Sequence, residues 1–359
     1  MKNNKKKKYI FFLGWMCEGG AERVVAEITN QLAERGCRTE VLTYFDEGSL
    51  YKLNDKVKLV PAVQRTGSKN IIKNIIWVRA YCRKNADVVI SFLAPFNMFM
   101  IVSMFGTKVP VIAADRNDPR KIPEKMIVRK LRDLLYCLSD AVVAQTQNNK
   151  AYFPEFVRRK CHVIYNPVHL GDRKGAALYT EKKKQVVSAG RLVEQKNYQM
   201  LLEAFAVFYR NHSDYSLILY GEGRLKSDLQ ESAKQLGIHN HVIFYGSVND
   251  LFSKIACAEL FVMTSCFEGM SNALAEAMCL GLPVISTKVS GALELIQDGV
   301  NGFLVDIGDV KKLADLMGYV IDNKKEAEKV AKNAVQLNEM LQAEQITDQW
   351  LNLIHKVRR

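Results

Sequence analysis

Short apolar runs rich in Val, Ile, Leu and Phe recur along this chain, each separated from the next by a stretch whose apolar residues follow helical spacing. The first half holds "YIFFLG", "TEVLTYF", "DVVISFL", "VPVIAA" and "DAVVAQT"; the second repeats the scheme with "KQVVSAGRL", "SLILYGEG", "HVIFYGSV", "AELFVMTS" and "LPVISTK". Runs this apolar suit strands buried on both faces, and their alternation with helices brings parallel strands together through crossovers. The pattern predicts an α/β chain with two Rossmann-like parallel sheets. A length of 359 residues agrees with about two domains, and 48% hydrophobic content supplies core for both. Between the two sets, "VIYNPVHLGDRKGAALYTEKKKQ" carries a Pro, Gly residues and then a charged run, which places a linker at 167–184. The expected domains are 1–166 and 185–340, facing each other across a cleft, with ligands at the carboxyl ends of the strands. The tail, 341–359, contains a helix "QITDQWLNLIHKV" with Ile346, Trp350, Leu351, Leu353 and Ile354 to bury.

The amino terminus imitates a signal peptide, with Lys2 and Lys5 to Lys8 ahead of "YIFFLGWMC", but Glu18 and Glu22 follow early and no A-x-A cleavage site is seen. "YIFFLG" reads instead as a first buried strand. The apolar stretch "SFLAPFNMFMIVSMFG" is interrupted by Pro95 and Asn97 and falls short of the roughly 20 residues a membrane span needs, so no transmembrane helix is expected. Eight cysteines (17, 37, 82, 137, 161, 257, 266, 279) form no C-x-x-C and no paired metal-ligand spacing, the usage of a reduced, intracellular protein.

Charge is divided unevenly. Residues 1–170 contain 29 Lys and Arg against 15 Asp and Glu, a net of +14, while the rest of the chain has 22 against 23. Two segments of the basic half, "KNIIKNIIWVRAYCRK" (69–84) and "KIPEKMIVRKLRDLL" (121–135), mix cations with Ile, Met, Leu and Trp at near-helical spacing. Such helices lie on an anionic lipid surface or pack on a core with a solvated basic face. Nucleic acid is disfavoured because no recognised binding motif accompanies the charge.

The segment "CFEGMSNALAEAM" (266–278) holds Glu268 and Glu276 eight positions apart. In one continuous helix they would stand about 80° apart and more than two turns away from each other, which is not a pair. Glu268 and Gly269 read as a loop, with Ser271 or Asn272 as the N-cap of a helix that carries Glu276. Position 274 is Leu rather than the Glu or Gln of a capping box, which leaves amides at the helix start for a phosphate. A diphosphate on that helix start, with one glutamate accepting hydroxyls on each side of it, fits a nucleotide sugar. Arg191 and Lys196 in "GRLVEQKN" are cations at a strand end in the same expected domain, plausible clamps for the diphosphate. Gly221 and Gly223 form a further strand-end pair in "YGEGRL". In the first domain Gly19 and Gly20 allow close backbone approach before a helix, but "GWMCEGGAERVV" is not G-x-G-x-x-G, so a dinucleotide fold is disfavoured.

Taken with "GGAERV" (19–24), "NPV" (166–168), "GRLVEQKN" (190–197), "GEG" (221–223) and the E-x7-E pattern from Glu268 to Glu276, the chain resembles a retaining glycosyltransferase of the GT-B fold, in glycosyltransferase family 4. The similarity continues through Gly281, Pro283, Gly291, Gly299 and Gly302. The resemblance implies that Glu276 binds the nucleotide ribose, Arg191 and Lys196 the diphosphate, and Glu268 the donor sugar, with amides of Gly269, Met270, Ser271 and Asn272. It brings the Gly19 and Gly20 loop to the donor from the first domain and packs the last helix back across that domain. It further implies sugar transfer with retention of configuration, no cofactor and no metal; no D-x-D is present to hold one. Many relatives carry a His after the fourth strand. Here "AADRNDP" offers Arg116, which we carry with Asn97 as a contact to acceptor or donor sugar. The six histidines (162, 169, 212, 239, 241, 355) fall outside the expected cleft loops.

These readings lead to a transferase that takes a hexose or N-acetylhexosamine from a nucleotide-diphosphate sugar, UDP being the commonest carrier. The acceptor is a polysaccharide or a glycan linked to lipid, such as polyprenyl diphosphate, at the cytoplasmic face of an anionic membrane. A nucleotide-sugar epimerase of the same fold and a catalytically silent carbohydrate-binding scaffold are the alternatives.

Overall fold

The protein is described by a computed structural model over residues 7–17, 19–45, 48–67, 70–168, 170, 173–178, 181–248 and 250–358. Lys2, Lys5, Lys6, Glu18, His169 and part of the 167–184 segment lie outside the described residues. The chain divides into two compact units, Met1–Pro167 with Leu341–Arg359, and Val168–Met340.

The first unit is built on a parallel sheet of β1 (Lys8–Leu13), β2 (Arg38–Thr43), β3 (Lys58–Pro61), β4 (Val88–Phe92), β5 (Val111–Ala114), β6 (Ala141–Ala144) and β7 (Cys161–Val163), in the order β3-β2-β1-β4-β5-β6-β7. Alternate side chains of β1 enter opposite cores. Tyr9, Phe11 and Leu13 join Val41, Ile90 and Trp350 on one face; Ile10 and Phe12 join Leu42, Val89 and Met100 on the other. That two-sided burial is why the strands read as unbroken apolar runs. The helix Ala343–Val357 buries Ile346, Trp350, Leu353 and Ile354 in the first of these cores. Pro95 sits in the first turn of the helix Ala94–Met104, where its missing N–H costs nothing.

The second unit has a parallel sheet of β8 (Lys183–Ala189), β9 (Ser216–Tyr220), β10 (Val242–Gly246), β11 (Ala258–Met263), β12 (Val284–Thr287) and β13 (Phe303–Val305), ordered β10-β9-β8-β11-β12-β13. The order reverses at β8, which places β9 and β11 on either side of it, and the loops after these strands meet at one edge.

The ten expected strands are all present. β3, β7 and β13 are additional: each is three or four residues long and lies at a sheet edge. Among the described residues no helix is long and apolar enough to cross a membrane.

Two helices of the first unit turn apolar side chains outward. On the helix Met126–Tyr136, Ile127 is 76% exposed, and Leu131, Leu134 and the following Leu138 are exposed along the same face, at i, i+4, i+7 and i+11. The residues this helix buries are Arg132 and Tyr136. Arg132, read from the sequence as one of the surface cations, is instead fully buried, because its guanidinium donates to the Pro119 and Ile122 carbonyls at 3.0 and 2.7 Å and so fixes the loop before the helix. On Ile71–Asn85, Ile71, Ile72 and Ile76 are exposed while Val78 and Cys82 are buried. Cations accompany both outward faces: Lys73, Arg83 and Lys84 on one helix, Lys125 and Lys130 at the other.

Candidate active site

In the second unit the chain leaves β8 at Gly190, whose φ of +153° is open to glycine, and forms a short turn, Glu194–Lys196. Asn197 follows at φ 49° and ψ 47°, a left-handed conformation that Asn tolerates better than most side chains. This sharp bend carries Lys196 to the loop after β11. Its Nζ lies 2.6 Å from Oε1 of Glu268, and the Ser265 hydroxyl donates to the same oxygen at 3.1 Å. The two charged side chains are only 16% and 11% exposed, so the pair sits where water screens it poorly.

Four further bonds lace the two loops together. Thr264 Oγ1 donates to the Lys196 and Asn197 carbonyls at 3.1 and 3.0 Å, Gln195 Nε2 donates to the Phe267 carbonyl at 3.0 Å, and the Cys266 amide donates to the Gln195 carbonyl at 2.8 Å. Tyr198 donates to the Gly190 carbonyl at 3.1 Å. Burial pushes the Tyr198 phenol up, with a smaller push from the Glu268 carboxylate, so it stays a neutral donor. Thr264, Ser265 and Gln195 were not singled out in the sequence. The signal available for the first two was a polar pair closing the apolar run "AELFVMTS" at a strand's carboxyl end.

Glu268 and Gly269 stand in the loop between β11 and the helix Asn272–Leu280. Ser271 is its N-cap, the hydroxyl accepting from the Leu274 amide at 3.4 Å. Glu276 is 2% exposed in a helix whose residues from Leu274 to Leu280 are all buried. A carboxylate placed that deeply requires partners, or it would cost more than the helix gains. The start of the helix Ser290–Leu295 presses on this loop: a Cβ at Gly291 would stand 2.5 Å from the Gly269 carbonyl oxygen. Thr287 ties β12 to the same place by donating to the Ser265 carbonyl at 2.7 Å.

Arg191 follows Gly190 directly and is exposed. Gly221 and Gly223 have a backbone role: a Cβ at Gly221 would stand 2.1 Å from the Gly190 oxygen, and one at Gly223 2.3 Å from the Leu192 oxygen. They let the β9 turn press against the β8 turn that carries Arg191 and Lys196. The structure thus gathers Arg191, Lys196, Gly221, Gly223, Glu268, Gly269, Met270, Ser271, Asn272 and Glu276 onto the loops and helix start after β8, β9 and β11.

Gly19, Gly20, Asn97 and Arg116 belong to the first unit. Gly19 caps the helix Gly20–Glu34, and the Glu22 carboxylate lies so close that a Cβ on Gly19 would come within 2.1 Å of it. The Tyr51 hydroxyl donates to the Gly19 carbonyl at 2.8 Å. Asn97 is fully buried; its Nδ2 donates to the Ala114 carbonyl and the Tyr136 hydroxyl, both at 2.9 Å, while its Oδ1 is buried without a partner. Arg116 is 7% exposed; it donates to Asn166 Oδ1 and lies over the Phe92 ring at 5.5 Å, while its Nε and Nη1 are buried without a partner. Burial lowers its guanidinium to about 9, against the opposing pull of Asp115, so it remains a cation at neutral pH. Asp115 is itself raised by burial and held back by Arg132.

Two parallel-sheet units of this kind define the GT-B class of glycosyltransferases. Residues 18–172 match the model for Glycosyltransferase Family 4 and residues 173–337 that for Glycosyl transferases group 1, so the chain belongs to the group 1 and family 4 glycosyltransferases. A Campylobacter jejuni protein named GalNAc-alpha-(1->4)-GalNAc-alpha-(1->3)-diNAcBac-PP-undecaprenol alpha-1,4-N-acetyl-D-galactosaminyltransferase is 28% identical over 98% of this chain and 99% of its own. A second from that bacterium, N-acetylgalactosamine-N,N'-diacetylbacillosaminyl-diphospho-undecaprenol 4-alpha-N-acetylgalactosaminyltransferase, is 28% identical over 88% of this chain and 90% of its own. Among solved structures, Anabaena Alr3699/HepE in complex with UDP and glucose superposes with a TM-score of 0.81 at 20% identity, covering 96% of this chain and 99% of that one. A glycosyltransferase from Rickettsia africae does so with a TM-score of 0.80 at 17% identity, over 98% and 99%. The fold is GT-B.

Proposed function

We propose that this glycosyltransferase moves a hexose or N-acetylhexosamine from a UDP-sugar to a glycan carried on polyprenyl diphosphate, with retention of configuration and without a metal. The observation that carries the reading is the laced edge of the second unit, where Lys196 and Glu268 pair beside the capped helix start and Glu276 lies buried one turn on. In that arrangement the donor diphosphate takes the charge of Lys196 and Arg191 and the amides of the helix start. Glu276 accepts from the ribose hydroxyls, and Glu268 from hydroxyls of the donor sugar. Negative charge develops on the departing diphosphate, so cations already fixed around it stabilise the transition state without reorganising. The bond from the anomeric carbon to the phosphate oxygen breaks, the acceptor oxygen bonds to that carbon on the same face, and the acceptor proton passes to the leaving phosphate.

Support for the acceptor comes from the printed names of the two Campylobacter relatives, which specify undecaprenyl-diphosphate glycans, and support for UDP from the HepE complex. The outward apolar faces of the 71–85 and 126–136 helices, on the unit that carries the chain's positive excess, support a peripheral position on an anionic membrane at its cytoplasmic side. The reading is tested by incubating the protein with UDP-N-acetylgalactosamine, UDP-N-acetylglucosamine, UDP-galactose or UDP-glucose and a polyprenyl-diphosphate glycan, with and without EDTA, and reading the anomer by NMR. Transfer of an α-linked sugar from one donor, undiminished by EDTA, is expected. Release of free UDP with no glycan product would contradict it and favour an epimerase.

A further inference from the structure

Beyond the ends of β1 and β2 the two chain segments stay zipped. The Phe45 amide donates to the Gly14 carbonyl at 2.8 Å, the Leu50 amide donates to the Met16 carbonyl at 3.1 Å, and Met16 and Ser49 form a parallel bridge. This holds Trp15 and Phe45 side by side, ring centroids 5.7 Å apart. Phe96, from the helix that follows β4, meets Trp15 edge-on at 6.0 Å. Gly14 makes the room: a Cβ there would stand 2.3 Å from Phe96 Cζ. Underneath, Tyr44 packs edge-on against Phe99 at 5.3 Å, and Phe99 stacks on Phe12 at 5.6 Å, which fastens the rings to the core. On the outside Phe45 is 39% exposed, with Trp15 and Phe96 half-buried.

A glycine and a backbone zipper thus fix three rings at the carboxyl ends of β1, β2 and β4, the edge at which open parallel sheets bind ligands. Rigid aromatic rings offer flat apolar area at little conformational cost, and their faces are electron-rich. The C–H face of a pyranose complements such a surface, while its hydroxyls remain in water. No Lys or Arg occurs among residues 14–16, 44–45, 48–50 or 93–99, unlike the two helices with basic, outward apolar faces, so these segments themselves offer lipid headgroups no cation.

We propose that Trp15, Phe45 and Phe96 form a platform on which a pyranose ring of the glycan acceptor stacks, an inference that rests on the glycosyltransferase reading above.

The chain has three tryptophans, and Trp350 is wholly buried, so in a Trp77→Phe background the solvent-sensitive emission comes from Trp15. Titration with the soluble disaccharide of α-1,4-linked N-acetylgalactosamine is expected to shift that emission saturably. Trp15→Ala is expected to raise the acceptor KM about tenfold, equivalent to roughly 1.4 kcal/mol. Trp15→Phe keeps a ring and is expected to stay close to wild type, and Phe45→Ala serves if Trp15→Ala does not fold. Emission that does not respond up to about 50 mM disaccharide, well above saturation for a millimolar site, overturns the platform. So does emission that responds to glycan-free phosphatidylglycerol vesicles and not to the disaccharide. Failure of the transferase reading is seen elsewhere, as absence of stabilisation by nucleotide, and leaves the disaccharide titration to decide the platform by itself.

Discussion

Replacing Lys196 by Met keeps the aliphatic stem, whose Cε and Cδ lie against Gly190, and removes only the charge. Glu268 then loses a cation at 2.6 Å and retains the Ser265 hydroxyl at 3.1 Å. Exposed ion pairs contribute about 0–1 kcal/mol, and breaking a fully buried one costs about 3–5 kcal/mol. With side chains 16% and 11% exposed, this pair stands between those limits, and a loss of roughly 1–3 kcal/mol follows. For a unit of this size that lowers the unfolding midpoint by about 2–12 °C, at roughly 2–4 °C per kcal/mol. Transfer should fall further than stability does. Removing a fixed group that stabilises transition-state charge typically costs about 10²–10³ in rate. Adding Glu268→Gln to Lys196→Met removes the orphaned charge, so the double variant should recover most of the lost stability and none of the lost transfer. Thermal unfolding and initial rates at saturating acceptor read the two quantities separately. Wild-type transfer by Lys196→Met would refute the clamp, and a double variant no more stable than the single would refute the energetics of the pair.

Arg116→Met should raise the unfolding midpoint and lower transfer, because it removes a buried cation with two unpartnered nitrogens. Since the folded-state value of Arg116 lies at about 9, below the ordinary guanidinium value, the cost of its charge is fully present below pH 9 and is relieved as pH rises above 9. The stability gain of the variant should therefore be flat from about pH 6 to 8 and shrink above 9; a lower midpoint at pH 7 would contradict this. Gly221→Ala, with φ +132° and a Cβ 2.1 Å from the Gly190 oxygen, should lower the midpoint of the second unit through about 2–3 kcal/mol of strain, and an unchanged midpoint would contradict it. Flotation with vesicles containing phosphatidylglycerol should be lost on replacing Ile127, Leu131 and Leu134 together by Ser, and should weaken with salt as the screening length falls from about 10 Å at 0.1 M to about 3 Å at 1 M.

The long central strands were legible because burial on both faces leaves few polar positions, as in "YIFFLG" and "DVVISFL". β3, β7 and β13 were not, since edge strands of three or four residues have too little length for a period to show. Within 266–278 the sequence already gave a loop at Glu268 and a helix capped at Ser271, because N-cap chemistry is local. The contact between Lys196 and Glu268 could not be read, for it depends on β8 and β11 being neighbours in the sheet although 72 residues separate the two side chains. The burial of Arg132 was hidden for a related reason. Helical spacing shows that a helix has two faces, and only tertiary packing decides which one turns inward.

The central claim is that the second unit holds a nucleoside diphosphate on the edge formed by β8, β11 and the 272–280 helix. The direct measurement is thermal unfolding of the purified protein with UDP, GDP, ADP or no addition, repeated on Glu276→Gln. A ligand at 100 times its Kd adds about 2.7 kcal/mol to the folded state. The expected result is stabilisation by UDP and not by the other two, lost in Glu276→Gln; a midpoint that UDP does not move, or moves equally in the variant, would contradict the assignment.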